Sequence, residues 1–205
     1  PAAKFTFAYD NAATPSAVSP KLTGTTGVNY AIPLTGKTAP CWAFVSFPSV
    51  MSGSIQTLLT DAAPGDGLTT WSVAKWYKPD DKTDPWKTYR AGYANELTAF
   101  NNTMGVWLWR TANGGDQKLT LSSYAANSSS PITIYLKTGW NMVGYPTATS
   151  RAETATLTNA AIDLVAVWQA ASPYISQHVK GATMMSAGNA YWVHCTGDCT
   201  WTVNP

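Results

Sequence analysis

Cys195-Thr196-Gly197-Asp198-Cys199 sets two thiols on either side of a tight Thr-Gly-Asp turn, and strand ends joined this way come within disulfide reach. In an oxidising compartment the pair is expected to close. Cys41 is the odd cysteine, either a buried small apolar side chain or the source of an intermolecular link. Zinc is not expected: His194 adjoins Cys195, but no second Cys or His pair stands at ligand spacing. Asp80, Asp81 and Asp84 share one polar stretch and are weak calcium candidates, without the D-x-D/N-x-D/N-G loop that calcium favours. His178 and His194 are the only histidines, and G-x-S-x-G, H-E-x-x-H and P-loop patterns are all missing. Glu153 and Asp163 have no evident carboxylate partner for paired-acid hydrolysis. The expectation is a protein that is not an enzyme, with no cofactor and no resident metal.

Aromatic residues are the richer signal, with 10 Trp and 10 Tyr. Trp86 and Tyr89 stand beside Asp84, Lys87 and Arg90. An exposed ring flanked by polar groups stacks a sugar and holds its hydroxyls; the plainer alternative is a loop anchored by its own Trp. Asn101-Asn102-Thr103 and Asn127-Ser128-Ser129 fit the N-x-S/T glycan acceptor, with Asn101 and Asn127 as the modified residues, both in expected loops.

These groups are positioned by a duplicated set of strands. Trp140-Asn141-Met142-Val143-Gly144-Tyr145-Pro146 has an earlier echo in Trp42-Ala43-Phe44-Val45-Ser46-Phe47-Pro48, sharing W-x-F/M-V-S/G-F/Y-P. Alternate positions are apolar, as in a half-buried strand, and proline closes each run because it cannot donate to a ladder. The echo continues in order: Leu59-Thr60-Asp61 with Leu157-Thr158-Asn159, Val73-Ala74-Lys75-Trp76 with Val165-Ala166-Val167-Trp168, Val106-Trp107-Leu108 with Tyr191-Trp192-Val193, and Leu119-Thr120-Leu121 with Trp201-Thr202-Val203. The fold expected is mainly β, α+β at most. Two tandem similar β-rich halves, each with one short helix, pack with pseudo-twofold symmetry, and an extra N-terminal strand precedes them. The divisions fall at residues 1–27 (N-terminal strand and linker), 28–126 (first repeat) and 127–205 (second repeat). The helices are expected at residues 54–63 and 152–161, and residues 190–195 and 199–203 as a closing hairpin. Trp42 with Trp140, Trp76 with Trp168, and Trp107 with Trp192 are expected to fill equivalent, mostly buried core slots.

The N-terminal strand, residues 4–10, places Phe5, Phe7 and Tyr9 on one face, ahead of a Pro/Ser/Ala linker. Such a face must be covered, by an edge of its own chain or by strand exchange with a second copy.

Charged residues make up 12% of the chain, about half the usual share of ~25%, so Thr, Ser, Asn and Ala must cover much of the surface. A net charge of +2 without a Lys/Arg cluster gives no reason to expect nucleic acid. No apolar run reaches membrane-span length. The chain starts at Pro1 and reads as a processed product or an excised domain.

Residues 139–146 with Ala190-Tyr191-Trp192-Val193, and Asp84-Pro85-Trp86-Lys87-Thr88-Tyr89 with Asn95-Glu96-Leu97 and Gly105-Val106-Trp107-Leu108, resemble a module repeated in large secreted surface proteins of archaea and some bacteria, with GWNLVGYP and GFWI/GYWV signatures. The resemblance spans roughly residues 31–203 and departs from the pattern at Cys41 and at the strand before the first repeat. It implies a β-rich architecture and an extracellular, cell-surface location, and brings no catalytic residues. The function expected is structural or assembly-forming: a filament, sheath or layer subunit, or an adhesive domain, with itself as partner in a homo-oligomer or polymer. The alternative is a carbohydrate-binding module using loop aromatics, with cell-surface polysaccharide as partner.

Overall fold

The computed structural model describes residues 28–33, 41–48, 50–51, 54–59, 71–110, 118–124, 130–168 and 176–204. Phe5, Phe7, Tyr9 and Asn127 lie outside these residues, as does the side chain of Cys41. In the first part of the chain the elements are β1 (Val28–Pro33), β2 (Cys41–Ser46), β3 (Val50–Met51), α1 (Ile55–Leu59), β4 (Trp71–Tyr77), β5 (Trp86–Arg90), β6 (Gly105–Arg110) and β7 (Lys118–Tyr124). They are followed by β8 (Ile132–Leu136), β9 (Gly139–Gly144), β10 (Arg151–Ala152), α2 (Glu153–Thr156), β11 (Ile162–Trp168), β12 (Ser176–His178), β13 (Met184–Met185), β14 (Ala190–Cys195) and β15 (Cys199–Val203). The fold is mainly β, with antiparallel pairing throughout.

Two four-stranded sheets dominate, in the orders β2-β6-β4-β5 and β9-β14-β11-β12. Phe44 lies opposite Trp107 and Ser46 opposite Gly105 in the first; Met142 lies opposite Trp192 and Gly144 opposite Ala190 in the second. Each sheet has a register shift near the start of its third strand, between Trp71 and Val73 and between Ile162 and Leu164. Strands β1, β7 and β3 form a separate sheet, β8 pairs with β15, and β10 with β13.

Strand alternation gives each large sheet one face toward a core. In the first, Ala43, Val45, Val106, Leu108 and Ala74 pack with Ile55, Leu58 and Leu59 of α1 and with Phe47 and Phe100. In the second, Val143, Val165, Tyr191 and Val193 pack with Tyr145 and Trp201. Trp201 is 2% exposed, and its indole N–H donates to the Thr156 carbonyl at 2.9 Å, so its one polar atom is satisfied on burial. Asn141 is 1% exposed and does the same for the β8–β9 corner. Its side-chain amide donates to the Lys137 and Gly139 carbonyls at 2.7 and 3.0 Å, and its oxygen accepts the Lys137 N–H at 2.8 Å.

The sheets meet through contacts that exchange roles. The Ser46 N–H donates to the Gly188 carbonyl at 2.9 Å, and the Gly144 N–H donates to the Thr103 carbonyl at 2.8 Å. Isolated bridges join Val45 to Asn189 and Val143 to Met104. A Cβ on Gly105 would stand 2.5 Å from the Val143 carbonyl oxygen and 2.9 Å from the Ala190 Cβ, so glycine is required for this approach. The Trp76 indole N–H also crosses the junction to the Met142 carbonyl, at 3.3 Å.

Several expectations are corrected. Helix α2 ends at Thr156, and residues 157–161 are coil and turn with the Asn159 side chain accepting from the Ala161 N–H. Strands β14 and β15 are not a hairpin, because β14 pairs with β9 and β11 while β15 crosses to β8. The tryptophan slots differ as well. Ala74 faces Leu108 and Val165 faces Val193, which sets Trp168 at the position of Tyr77, one residue away from Trp76. Trp42, Trp76, Trp107, Trp168 and Trp192 are half-buried and Trp140 is 42% exposed. Trp76, Trp107, Trp168 and Trp192 pack, with Tyr77, against a third cluster of buried Phe44, Met142 and Ala190 where the sheets meet, so of the six only Trp140 departs from the expected burial.

Candidate functional site

The faces of the two sheets turned away from these two cores carry aromatic rings, which meet around a third buried cluster of Phe44, Met142 and Ala190. In the first sheet Trp42 packs on Trp109 and Phe44 stacks on Trp107, with centroids 5.1 and 4.6 Å apart. Across the junction Phe44 reaches Trp192, Trp107 meets Trp168 edge-on at 5.4 Å, and Tyr77 meets Trp192 at 5.6 Å. Each sheet therefore lends an aromatic ring from its third strand, Tyr77 or Trp168, to the face of the other.

On the second sheet this surface opens into a cleft of about 500 Å³, lined by Tyr77, Trp140, Leu164, Ala166, Ser176, His178 and Trp192. That size lies within the ~300–1,000 Å³ of small-molecule sites. The register explains the opening. Met142, Trp192, Ala166 and His178 form one row across β9, β14, β11 and β12, and Ala166 contributes only a methyl group between a tryptophan and a histidine. Beside that row Trp140 is cross-strand from His194, with ring centroids 5.1 Å apart. His194 Nδ1 lies 2.6 Å from Asp163 Oδ1, which fixes the imidazole behind Trp140. The exposed hydroxyl of Ser176 and the imidazole of His178 stand on the far rim.

The sequence candidates fall in different places. Trp86 is 40% exposed and joins the cleft's aromatic group, 5.3 Å from Tyr77 and 6.1 Å from Trp192. Tyr89, three residues on, has the opposite strand parity. It is 5% exposed in the first core, where burial raises its phenol pKa, so it does not stack a ligand. Asp81 is committed to its own loop: one oxygen accepts from the Thr83 and Asp84 N–H groups, and the other is 2.8 Å from the Lys87 ammonium. That ammonium, with those hydrogen bonds, holds the Asp81 carboxyl well below its ordinary pKa. Asp84 also turns to Lys87, at 3.6 Å, while Asp80 pairs with Lys78 at 3.8 Å. Among the described residues no three His, Cys, Asp or Glu side chains gather as a metal site.

Cys195 and Cys199 have their sulfurs 3.5 Å apart and unbonded. Burial, then the neighbouring Cys199, pushes the Cys195 thiol up to about 12. Asp198 between them accepts from the Lys137 ammonium and the Thr138 N–H, both at 2.8 Å, and this holds its carboxyl at about 2. Asn101 is exposed, with its side-chain oxygen accepting from the Thr103 N–H at 2.9 Å. Glu153 and Asp163 both line a second cleft of about 490 Å³ with His178 and Lys180, but Glu153 accepts from the Gly181 N–H at 2.9 Å and Asp163 holds His194.

Sequence reasoning missed Tyr77, Ala166, Ser176, His178 and the Asp163–His194 pair. Period-two spacing of Trp140 with Met142 and of Trp192 with His194 marked the outward face. Nothing local marked the alanine that opens it or the tyrosine supplied from the other sheet.

No protein-family model, curated protein or solved structure matches this chain.

Proposed function

We propose that this chain is a non-catalytic extracellular protein of the cell surface whose second sheet binds polysaccharide in the cleft between Tyr77, Trp140 and Trp192. The observation that carries this reading is Trp140, 42% exposed, in a cleft lined also by a hydroxyl and an imidazole, with Trp86, 40% exposed, packed on the lining residues Tyr77 and Trp192. A pyranose has an apolar C–H face and an equatorial rim of hydroxyls. Aromatic faces take the first, and Ser176 and His178 are placed to hydrogen-bond the second. The surface-module resemblance and the low charge support the extracellular setting, where oxidation of Cys195 and Cys199 to a disulfide and glycan attachment at Asn101 belong.

The same reading takes the chain as a tandem duplication about a pseudo-twofold axis near Gly105 and Ala190. Its support is the shared strand order, the matching register and the reciprocal pair of hydrogen bonds at Ser46 and Gly144.

The test is affinity electrophoresis through gels containing hydroxyethylcellulose, xylan, galactomannan or glycol chitin. At least one polysaccharide should retard the protein, and Trp140→Ala should then migrate as in a blank gel. Unhindered migration in all four gels, or equal retardation of the variant, overturns the reading. Self-assembly is a second reading, favoured by the outer edges of β5 and β12, which take no further strand among the described residues. Concentration-dependent sizing by light scattering tests it, and a monomer at every concentration would rule it out.

A further inference from the structure

We infer that the cleft accepts a single soluble glycan chain along its length and rejects the flat face of a crystalline polysaccharide. The inference rests on the glycan reading above and follows from the angles between the rings. Trp192 stands between steeply inclined neighbours: Trp140 is at 90°, Trp86 at 72° and Tyr77 at 56° to its plane, with centroids 6.3, 6.1 and 5.6 Å away. Tyr77 and Trp86 are themselves at 68°. None of these four pairs is near parallel; the ring stacked on Trp192 is Phe44, at 27°, which is 7% exposed and so lies beneath the cleft and not at its mouth.

A crystal face presents many sugar rings in one plane. Stacking on it requires aromatic rings that are coplanar and level with one another, with no wall rising beside them. Here the two exposed rings beside Trp192, Trp86 and Trp140, stand at 72° and 90° to its plane, and the cleft lining between Trp192 and His178 is Ala166, which is only 4% exposed. A plane of sugars would meet the edges of Trp86 and Trp140 and never reach Trp192, Ser176 or His178. A single chain enters between the walls, offers its ring faces to differently tilted aromatics as successive units rotate, and exposes its hydroxyl edges to the polar rim. The third wall, Tyr77, comes from the other sheet, so the trough exists only while the two sheets are docked.

The experiment has two arms. In one, microcrystalline cellulose and crystalline chitin powder are mixed with the protein and depletion from the supernatant is measured. In the other, cello-, xylo-, manno- and chito-oligosaccharides are titrated calorimetrically. The expected result is binding of at least one oligosaccharide, lost at least tenfold in Trp140→Ala and in Ala166→Lys, with powder depletion of the wild type no greater than that of Ala166→Lys. Circular dichroism confirms that both variants are folded. Trp140-dependent depletion by a powder, whether or not the matching oligosaccharide binds, overturns the inference and leaves the glycan reading standing. Absence of binding in both arms overturns both.

Discussion

The outward faces of the two four-stranded sheets are built from similar rows, yet one is filled and the other open. In the first sheet the row is Phe44, Trp107, Lys75 and Thr88, and the Lys75 ammonium lies 5.9 Å from the centre of the Trp42 ring. In the second the row is Met142, Trp192, Ala166 and His178, and Trp140, at the place of Trp42, is 42% exposed. Lysine lays its stem along aromatic surface and offers its charge to the ring, which occupies the space from within the chain. Alanine does neither. The two faces also differ beside that row, where Trp42 packs on Trp109 and Trp140 on His194.

The largest effect is expected at the junction both faces depend on. Gly105→Val places a branched side chain where even a Cβ would lie 2.5 Å from the Val143 carbonyl oxygen. Overpacking of this kind costs about 3 kcal/mol, at the upper end of the usual range, and should lower the chemical denaturation midpoint accordingly. A midpoint within error of wild type would mean that the sheets do not meet as described.

The next effect belongs to the second sheet alone. Cys195 ends β14 and Cys199 begins β15, so a bridge would tie the open sheet to the β8–β15 pair. The chain-entropy relation gives a loop this short about 2 kcal/mol. Non-reduced protein should exceed Cys199→Ser in stability by that amount, and dithiothreitol should erase the difference. Two free thiols in protein purified without reductant would rule the bridge out.

A smaller free energy decides binding itself. Ala166→Lys copies the first sheet's solution and should weaken glycan binding at least tenfold, about 1.4 kcal/mol, with the fold unchanged by circular dichroism. Undiminished affinity would separate the cleft from the ligand. The smallest effect is the reverse exchange: Lys75→Ala should uncover Trp42 and double the calorimetric stoichiometry, with the affinity of the original site unchanged. An unaltered stoichiometry would show that Lys75 is not what closes the first face.

Much of the sheet content was legible because alternation and proline-terminated runs depend on neighbours in sequence, as at residues 41–48 and 139–146. What failed depends on distant partners. Strand β15 looks like the second arm of a hairpin until β8 is available to pair with it. Cross-strand pairing of Ala74 with Leu108 and of Val165 with Val193 sets Trp168 in register with Tyr77, whereas matching residue types along the two strands points one residue away, to Trp76. Trp42, Trp107, Trp140, Trp168 and Trp192 share the face that spacing assigns them, but spacing does not show that this face packs around Phe44, Met142 and Ala190 at the junction and leaves Trp140 exposed. The exposure of Trp86 was legible from its polar neighbours; Tyr89 was drawn in by proximity, although an odd separation in a strand sets it on the other side.

The comparison between the two faces is tested most directly by the indole N–H resonances of the 10 tryptophans, followed by NMR during titration with the best-binding soluble oligosaccharide. The account predicts that the signals of Trp86, Trp140 and Trp192 shift while those of Trp42 and Trp109 stay in place. Shifts centred on Trp42 and Trp109, or none at the three cleft tryptophans, would contradict it.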